Sequence, residues 1–332
     1  MGYFRDIAGH EQIRRVLQNA LEQKRVSHAY LFTGPTGVGK STTAQALAQA
    51  LLCTEYHAGE ACGVCPACRR VLHDNHPDCQ WLDPTGRSIK IQQIREMQRT
   101  IDFRSYLGGH RVTVIRRADS MTPEAANSLL KTLEEPPEDT HFILLTTQPQ
   151  ALPATVISRC QRFSFKALAL PLVASFLVAN HGVPAQQASL LAALSGGSPG
   201  QALEYLSGSL LEKRDQALEV AATLAKAGIT EILELAEELA KNRDRALTTL
   251  ELLLCWYRDL LIWRETQSAE LLYNQDRLPE LRKEEKSLGG RTLVGIIEEV
   301  NKAKNNIGNN SNIRLVLESL FLQIKTNRFT HA

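Results

Sequence analysis

The sequence predicts an α/β chain in which a parallel, doubly wound sheet comes first and helices alone follow. Three observations predict it. Short apolar runs alternate with helically spaced apolar residues as far as Lys166. A glycine-rich stretch, Gly34 to Ser41, stands where the first of those runs meets a helix. Beyond Lys166 the strand signals stop. The expected division is an α/β part at 1–166, a small helical module at 167–208 containing Gly196-Gly197-Ser198-Pro199-Gly200, and an all-α part at 209–332. At roughly 150 residues per domain, 332 residues suit two domains and a third small one.

Ile13, Val16, Leu17, Ala20 and Leu21 recur at steps of three and one, which predicts a helix over Glu11 to Gln23. His28 to Thr33 reads as a buried strand, and Lys40 to Leu52, rich in Ala and Leu, as the helix after it. A cysteine-rich insert follows. Cys79 to Leu82 is expected as a second strand, and Ile91, Ile94, Met97 and Ile101 mark a helix to about Phe103. After the Gly108-Gly109 turn, Arg111 to Ile115 is short and β-branched and reads as a central strand. Thr122-Pro123-Glu124 combines a cap, a first-turn proline and an acid, so a helix should start there and end at Glu135-Pro136-Pro137. Phe142 to Thr146 is a further strand, Ala154 to Ile157 a short helix and Phe163 to Phe165 a last strand. In the C-terminal part Ala217, Val220, Ala221 and Leu224 keep helical spacing, and Ile313, Leu317, Leu320 and Ile324 give the final helix an apolar stripe.

Composition narrows the function. Lys plus Arg number 38 against 36 Asp plus Glu, a net charge of +2, so any nucleic-acid contact must be a local patch. With 43% hydrophobic and 22% charged residues a packed core is expected and disorder as the dominant state is excluded. Aromatics at 6% argue against base stacking as the main means of recognition. The most apolar uncharged stretch, Ala167 to Ala179, is too short to cross a bilayer and is broken by Pro171. The start, Met1 to Asp6, has no apolar signal core, so a cytoplasmic location without membrane attachment is expected. There, seven cysteines are reduced thiols or metal ligands rather than disulfides.

Gly34-Pro35-Thr36-Gly37-Val38-Gly39-Lys40-Ser41 fits G-x-x-x-x-G-K-[ST] in the strand-to-helix context the motif requires. Glycines let backbone N–H groups wrap phosphates, the helix N-terminus favours negative charge, Lys40 reaches the outer phosphates and the Ser41 hydroxyl can ligate Mg²⁺. The candidate nucleotide-binding set is therefore Gly34 to Ser41 with Thr42, for ATP or ADP with Mg²⁺; a plain glycine turn capping a helix is the alternative. Cys53-x8-Cys62-x2-Cys65-x2-Cys68 supplies four thiolates, enough to close a tetrahedral structural zinc site with no open position for water. Reduced core cysteines or a redox pair are the alternatives there, and Cys79, Cys160 and Cys255 read as ordinary buried thiols.

A hydrolysing enzyme of this class needs an acid at the end of a neighbouring strand to hold Mg²⁺, and a second carboxylate to orient water. Here Val112 to Ile115 is followed by Arg116-Arg117, and arginine neither ligates a metal nor takes a proton at neutral pH. The first acid, Asp119, comes four residues past the strand end. The loop is expected to hold a nucleotide and hydrolyse it poorly or not at all, unless Asp119 takes the metal.

The phosphate loop, the four cysteines after its helix, Asn127-Ser128-Leu129-Leu130-Lys131-Thr132-Leu133-Glu134-Glu135-Pro136-Pro137 and Ser158-Arg159-Cys160 together resemble the bacterial clamp-loader branch of the AAA+ ATPases, subunits of DNA polymerase III. The resemblance runs in order from Phe4 to about Phe165, weakens afterwards and returns thinly around Asn312-Ile313-Arg314-Leu315. It implies an AAA+ domain with a zinc insert, a helical lid and a C-terminal collar. The family's motor subunit (gamma/tau) carries Asp-Glu where this chain has Arg116-Arg117, and a lid arginine where it has Gly200. His76-Pro77-Asp78, Ile89 to Arg95 and Ala118 to Thr122 likewise resemble a non-motor subunit, as does the ending of the chain after one helical domain.

The resemblance implies that Arg159 is an arginine finger serving a neighbour's nucleotide and that Thr147 is a nucleotide-sensing position. By itself an arginine at a helix end is a solvated or ion-paired residue. The implied partners are motor subunits (gamma/tau) and a delta subunit in a hetero-pentameric ring, the sliding clamp and primed DNA. Arg95, Arg99, Arg104 and Arg111 could touch DNA phosphates, against the plain reading of solvated helix faces. An active clamp-loader ATPase and a stand-alone P-loop kinase are the other functions to weigh. No paired carboxylates for two-metal nucleotidyl transfer are visible, so polymerase chemistry is not expected of this polypeptide.

Overall fold

The computed structural model describes residues 3–102, 109–208, 210–308 and 311–329. The chain divides into two compact units, one of Met1–Leu172 with Ser198–Gln201, the other of Val173–Gly197 with Ala202–Ala332.

In the first unit a 3₁₀ turn, Phe4–Asp6, leads into α1, Glu11–Glu22. The order is then β1 (Ala29–Thr33), α2 (Lys40–Leu52), α3 (Pro66–Leu72), β2 (Cys79–Leu82), α4 (Ile91–Asp102), β3 (Arg111–Ile115), a 3₁₀ turn Ala118–Ser120, α5 (Pro123–Glu134), β4 (Thr140–Thr146), α6 (Ala154–Ile157) and β5 (Gln161–Ser164). All five strands are parallel, in the order β2-β3-β4-β1-β5. Right-handed crossovers between parallel strands put helices on both faces.

Alternation along β1 assigns the faces. Tyr30 and Phe32 join one core with Leu17, Leu47 and Phe163, while Ala29 and Leu31 join the other with Ile94, Leu129 and Phe142. Every residue of β1 is buried, as a central strand covered on both sides requires. Each fully buried Leu or Phe contributes roughly 1.5–3 kcal/mol relative to exposure. The helix at Pro123 starts as its sequence predicts: the Thr122 hydroxyl accepts from the Ala125 N–H, at 3.3 Å, with Pro123 in the first turn. Three strands differ from their expected bounds, β1 only in starting at Ala29 rather than His28. β4 begins at Thr140, because Thr140 and His141 pair with Arg111 and Val112 despite their polar side chains. β5 is an edge strand in which only Phe163 is buried, so its polar neighbours hid its start at Gln161.

The second unit is helical throughout its described residues: α7 (Leu170–His181) begins in the first unit, and α8 (Ala185–Leu194), α9 (Pro199–Ser207), α10 (Leu210–Lys226), α11 (Ile229–Ala240), α12 (Arg243–Thr266), α13 (Leu278–Glu285), α14 (Gly290–Gly308) and α15 (Ile313–Phe329) follow. No helix is long and apolar enough to cross a membrane. The centre is α12, whose Leu250, Leu253, Tyr257 and Leu260 share one core with Leu293 and Ile296 of α14 and Leu317 and Phe321 of α15. A buried carboxylate adjoins that core. Asp259 is fully buried and accepts from the N–H groups of Tyr273 and Asn274, at 3.0 and 2.7 Å, and from the Asn274 amide at 2.9 Å, while Arg258 pairs with it at 2.8 Å. It closes the turn between α12 and α13 by satisfying donors that water cannot reach.

Asp259→Ala should therefore lower the stability of this helical unit by about 3 kcal/mol or more, since it strands several buried donors and one arginine. Denaturant unfolding followed by tryptophan fluorescence checks it, because Trp256 and Trp263 lie in the same core.

Candidate functional site

The glycine-rich loop leaves β1 at the carboxyl edge of the sheet, where open α/β sheets bind their ligands. Gly34 has φ 145°, and a Cβ there would lie 2.2 Å from the Phe165 carbonyl oxygen, so no other residue fits. The next turn is held by its carbonyls. The Ser198 hydroxyl donates to Thr36 O at 3.0 Å, the Gly200 N–H to Gly37 O at 2.9 Å, and His10 Nε2 to Val38 O at 3.0 Å. A peptide is planar and trans, so each N–H points opposite to its own carbonyl. With these carbonyls drawn to their anchors, the N–H groups of Gly37, Val38 and Gly39 each point away from the anchor of their own peptide. Donors freed in this way can receive an anion.

Lys40 opens α2, and the first N–H groups of that helix, on Lys40, Ser41 and Thr42, lack intrahelical acceptors. The Thr43 hydroxyl instead turns back to Gly39 O at 2.9 Å. The Lys40 side chain is 8% exposed and its ammonium donates to the carbonyls of Gly34 and Pro35, both at 2.6 Å. Burial pulls its pKa down to about 8, against which the charge of Asp119 acts.

Asp119 is the residue that spacing undervalued. The 3₁₀ turn after β3 carries it back across the sheet edge, where it accepts from the Thr146 hydroxyl at 2.5 Å and the Thr147 N–H at 3.2 Å. Thr147 lies just past β4, exposed. Arg116 goes elsewhere: it pairs with Asp83 at 3.1 Å and its guanidinium lies 4.2 Å from the centre of the Trp81 ring. Arg117 is exposed, in a left-handed conformation. Gly200, where the resemblance places an arginine in motor subunits, lets main chain rest on main chain: a Cβ there would lie 2.8 Å from Gly37 Cα.

The four cysteines converge. Cys53 caps the end of α2, Cys65 caps α3, Cys68 lies in the first turn of α3, and Cys62 precedes the turn made by Gly63 at φ 76°. All four sulfurs lie within 4.8 Å of one another, with Cys53–Cys65 and Cys62–Cys68 at 4.0 Å. Metal–sulfur bonds of about 2.3 Å in a tetrahedron put sulfurs about 3.8 Å apart, so the set fits a closed four-thiolate site. Backbone N–H groups of Glu55 and Cys62 point at the Cys53 sulfur, those of Cys65 and Cys68 at the sulfurs of Cys62 and Cys65, at 3.3–3.4 Å. Burial holds Cys53 and Cys68 above the ordinary thiol range; it opposes ionisation of Cys65 too, but the N–H groups of Cys68 and Thr54 outweigh it and bring Cys65 to about 6. Cys79, Cys160 and Cys255 are pushed up to about 12, chiefly by burial, and are inert thiols.

Arg159 stands in the turn after α6, one-third exposed. It donates to the Thr155 carbonyl at 2.8 Å and pairs closely with Glu134 at the end of α5. Of the basic residues considered for DNA, Arg95 and Arg99 are exposed one turn apart on α4, Arg111 donates to the Ile101 carbonyl, and Arg104 lies outside the described residues.

Residues 9–169 match the family described as DNA polymerase III, delta subunit, and 184–326 the one described as DNA polymerase III, delta subunit, C terminal. The delta' subunit of Bacillus subtilis DNA polymerase III is 32% identical over 326 residues, 95% of either chain. The chain belongs to the DNA polymerase III clamp-loader family. The delta' subunit of Pseudomonas aeruginosa, 33% identical, is matched over 90% of this chain and 91% of its own. The tau subunit of Bacillus subtilis is 30% identical over 97% of this chain, which spans 61% of that protein. A gamma-subunit-related protein of Thermotoga maritima superposes over 95% of this chain at a TM-score of 0.46 and 17% identity.

Metal uptake by a clamp-loader subunit built this way must expel protons from the thiols that burial keeps protonated, so affinity should fall as pH falls. Competition with a chromophoric chelator at pH 8, 7 and 6 should show progressively weaker binding and release of protons on metal addition, both lost in Cys62→Ser/Cys65→Ser.

Proposed function

We propose that this chain is the delta' subunit of the clamp loader: a cytoplasmic AAA+ stator that hydrolyses little or no ATP itself, presents Arg159 to the nucleotide of a neighbouring gamma/tau motor and helps place the sliding clamp on primed DNA. The observation that carries this reading is the pairing of a complete phosphate loop with a β3 end whose Arg116 is turned to Asp83 and Trp81. Near-full-length similarity to two delta' subunits supports it. The loop residues Gly34 to Thr42 hold ATP or ADP, with the Ser41 hydroxyl toward Mg²⁺ and Thr147 beside the outer phosphates. Zinc in the four-cysteine site is structural, since four thiolates leave no place for water. The stretch 167–208 serves as lid and 209–332 as collar in a hetero-pentameric ring with motor subunits and delta.

Arg159 suits the task physically. A guanidinium delivered by a second subunit makes hydrolysis depend on assembly and is worth about 10³–10⁵ in rate where it is the missing charge. Its pairing with Glu134 is at the surface, where such pairs contribute about 0–1 kcal/mol, so release costs little. A second reading, in which the chain is itself a motor, draws on Asp119, whose carboxylate faces Lys40 electrostatically and is a candidate Mg²⁺ ligand.

ATP turnover by the reconstituted loader with clamp and primed DNA separates the two. Arg159→Ala should depress turnover by about ten-fold or more at the site it serves, while Lys40→Ala and Asp119→Asn change it little; a loss confined to Lys40→Ala and Asp119→Asn marks the chain as a motor.

Nucleotide binding by the isolated chain should weaken as pH rises through about 8. Phosphate holds the Lys40 proton that the free loop gives up near that pH, so binding is flat below it and takes up a proton above it. Titration calorimetry at pH 7 and 9 in buffers of different ionisation enthalpy checks both the slope and the proton.

A further inference from the structure

The metal site and the phosphate loop stand at opposite ends of α2, about 20 Å apart. A second connection joins them, and it begins at a carboxylate no motif contains. Glu60 lies in the loop between Cys53 and Cys62, its own main chain paired with His57 in both directions at 2.9 Å. Its Oε2 accepts from the Phe4 N–H at 3.2 Å, and its Oε1 accepts from the Arg5 N–H and from the Gln18 amide of α1, both at 3.1 Å. Two neighbouring contacts seat the same loop. Gly59 lies so close to Gln18 that a Cβ would come within 2.8 Å of its Cβ, and the Tyr3 phenol fills the place a side chain at Gly63 would take.

The N-terminal segment and α1 are thus fastened to the cysteine loop at one end. At the other end they reach the phosphate loop. His10, the residue before α1, donates from Nε2 to the Val38 carbonyl, and its ring packs edge-on against Phe165, 4.8 Å between centres. The side chain of Ile7 lies 3.9 Å from where a Cβ on Gly39 would be. Arg14, one turn into α1, ties the two ends together by donating to the Phe4 carbonyl at 3.1 Å. Because His10 holds the Val38 carbonyl, it aims the Gly39 N–H. A shift of α1 that moved His10 would rotate that peptide and remove one donor from the phosphate-binding row.

A cation shared by the four thiolates would fix the cysteine loop, and Glu60 with it, against α1. We propose that Glu60 is a positioning residue that couples the two sites: metal in the four-cysteine loop, acting through Glu60, α1 and His10, raises the affinity of the phosphate loop for nucleotide. This rests on the nucleotide-binding reading above. Binding linkage is reciprocal, so nucleotide must tighten metal binding by the same factor.

The test uses the full chain, zinc, Mg²⁺-ADP and a fluorescent ADP analogue. Zinc affinity is measured by chelator competition with and without saturating Mg²⁺-ADP, and analogue affinity with and without zinc, for the wild type, Glu60→Ala, Glu60→Gln and the control Glu55→Gln, an exposed carboxylate of the same loop. In the wild type each ligand should tighten the other by about five-fold or more, the lower range of such couplings. Glu60→Ala should bring that factor to one, Glu60→Gln should leave an intermediate value because one acceptor oxygen remains, and Glu55→Gln should keep it whole. A purely structural role for Glu60 would weaken zinc equally with and without nucleotide, and coupling that survives Glu60→Ala would run through α2 instead; either result overturns the proposal while leaving nucleotide binding intact. If the zinc-loaded wild type binds no analogue, the nucleotide-binding reading itself fails, and the coupling with it.

Discussion

Three carbonyl groups govern the functional end of this molecule. A phosphate loop needs its N–H groups on one side, and a peptide chain left to itself has no reason to put them there. Here the carbonyls of Thr36, Gly37 and Val38 are taken by Ser198, Gly200 and His10 in turn, and peptide planarity does the rest. The glycines at 37 and 39, at φ 73° and 106°, are the backbone conformations that such a turn demands. Gly34 adds a steric limit, because the chain leaving β1 brushes the Phe165 carbonyl. The anchors come from two distant stretches of sequence, at His10 and at Ser198–Gly200, so the loop is a property of the whole α/β unit rather than of eight residues.

The same economy bears on the proposal that this chain hydrolyses little or no ATP. Hydrolysis asks for carboxylates fixed at the sheet edge, and the strand that should bring them is followed by Arg116. That guanidinium finds a carboxylate and an aromatic face on the outer side of the sheet, which satisfies it locally and keeps it from contributing to the loop. Asp119 accepts from the Thr147 N–H, and its charge offsets part of the cost of burying the Lys40 ammonium. Both of the Asp119 bonds fall on Oδ1, so a metal bound through that oxygen would compete with the Thr146 hydroxyl and the Thr147 N–H.

What the residues announced in advance was what local chemistry decides. β1, the glycine loop, the capped helix at Thr122 and the four cysteines each carry their instructions within a short stretch of sequence, and each stands within a residue of where its pattern put it. The misplacements are tertiary. β5 starts at Gln161 because pairing with β1 extends a strand through polar residues, and Asp119 reaches the site because a 3₁₀ turn folds it back, which spacing along a strand does not reveal. Gly200 was legible only as a missing arginine; that it brings backbone against backbone at Gly37 is visible once both are in place. Glu60 gave no signal at all, because a carboxylate accepting from main-chain N–H groups leaves no trace of its partners in its own neighbourhood.

The four-cysteine cluster belongs to this picture as the proposed support rather than as a reactive centre. Its thiols are matched by N–H groups that favour thiolate at Cys65 and by burial that disfavours it at Cys53 and Cys68, a set that becomes uniform only when a cation supplies the missing charge. Residues 54–58 of the loop are exposed, and the Glu60 bonds to Phe4, Arg5 and Gln18 fasten it to the N-terminal segment and α1. An insert of this kind, placed after the helix that the phosphate loop begins, reinforces the helix that loop depends on at its far end. Through the N-terminal segment it also braces the loop from outside. A protein proposed to keep an intact phosphate loop while contributing little hydrolysis has reason to keep that loop rigid, and two supports around one helix achieve it with few residues.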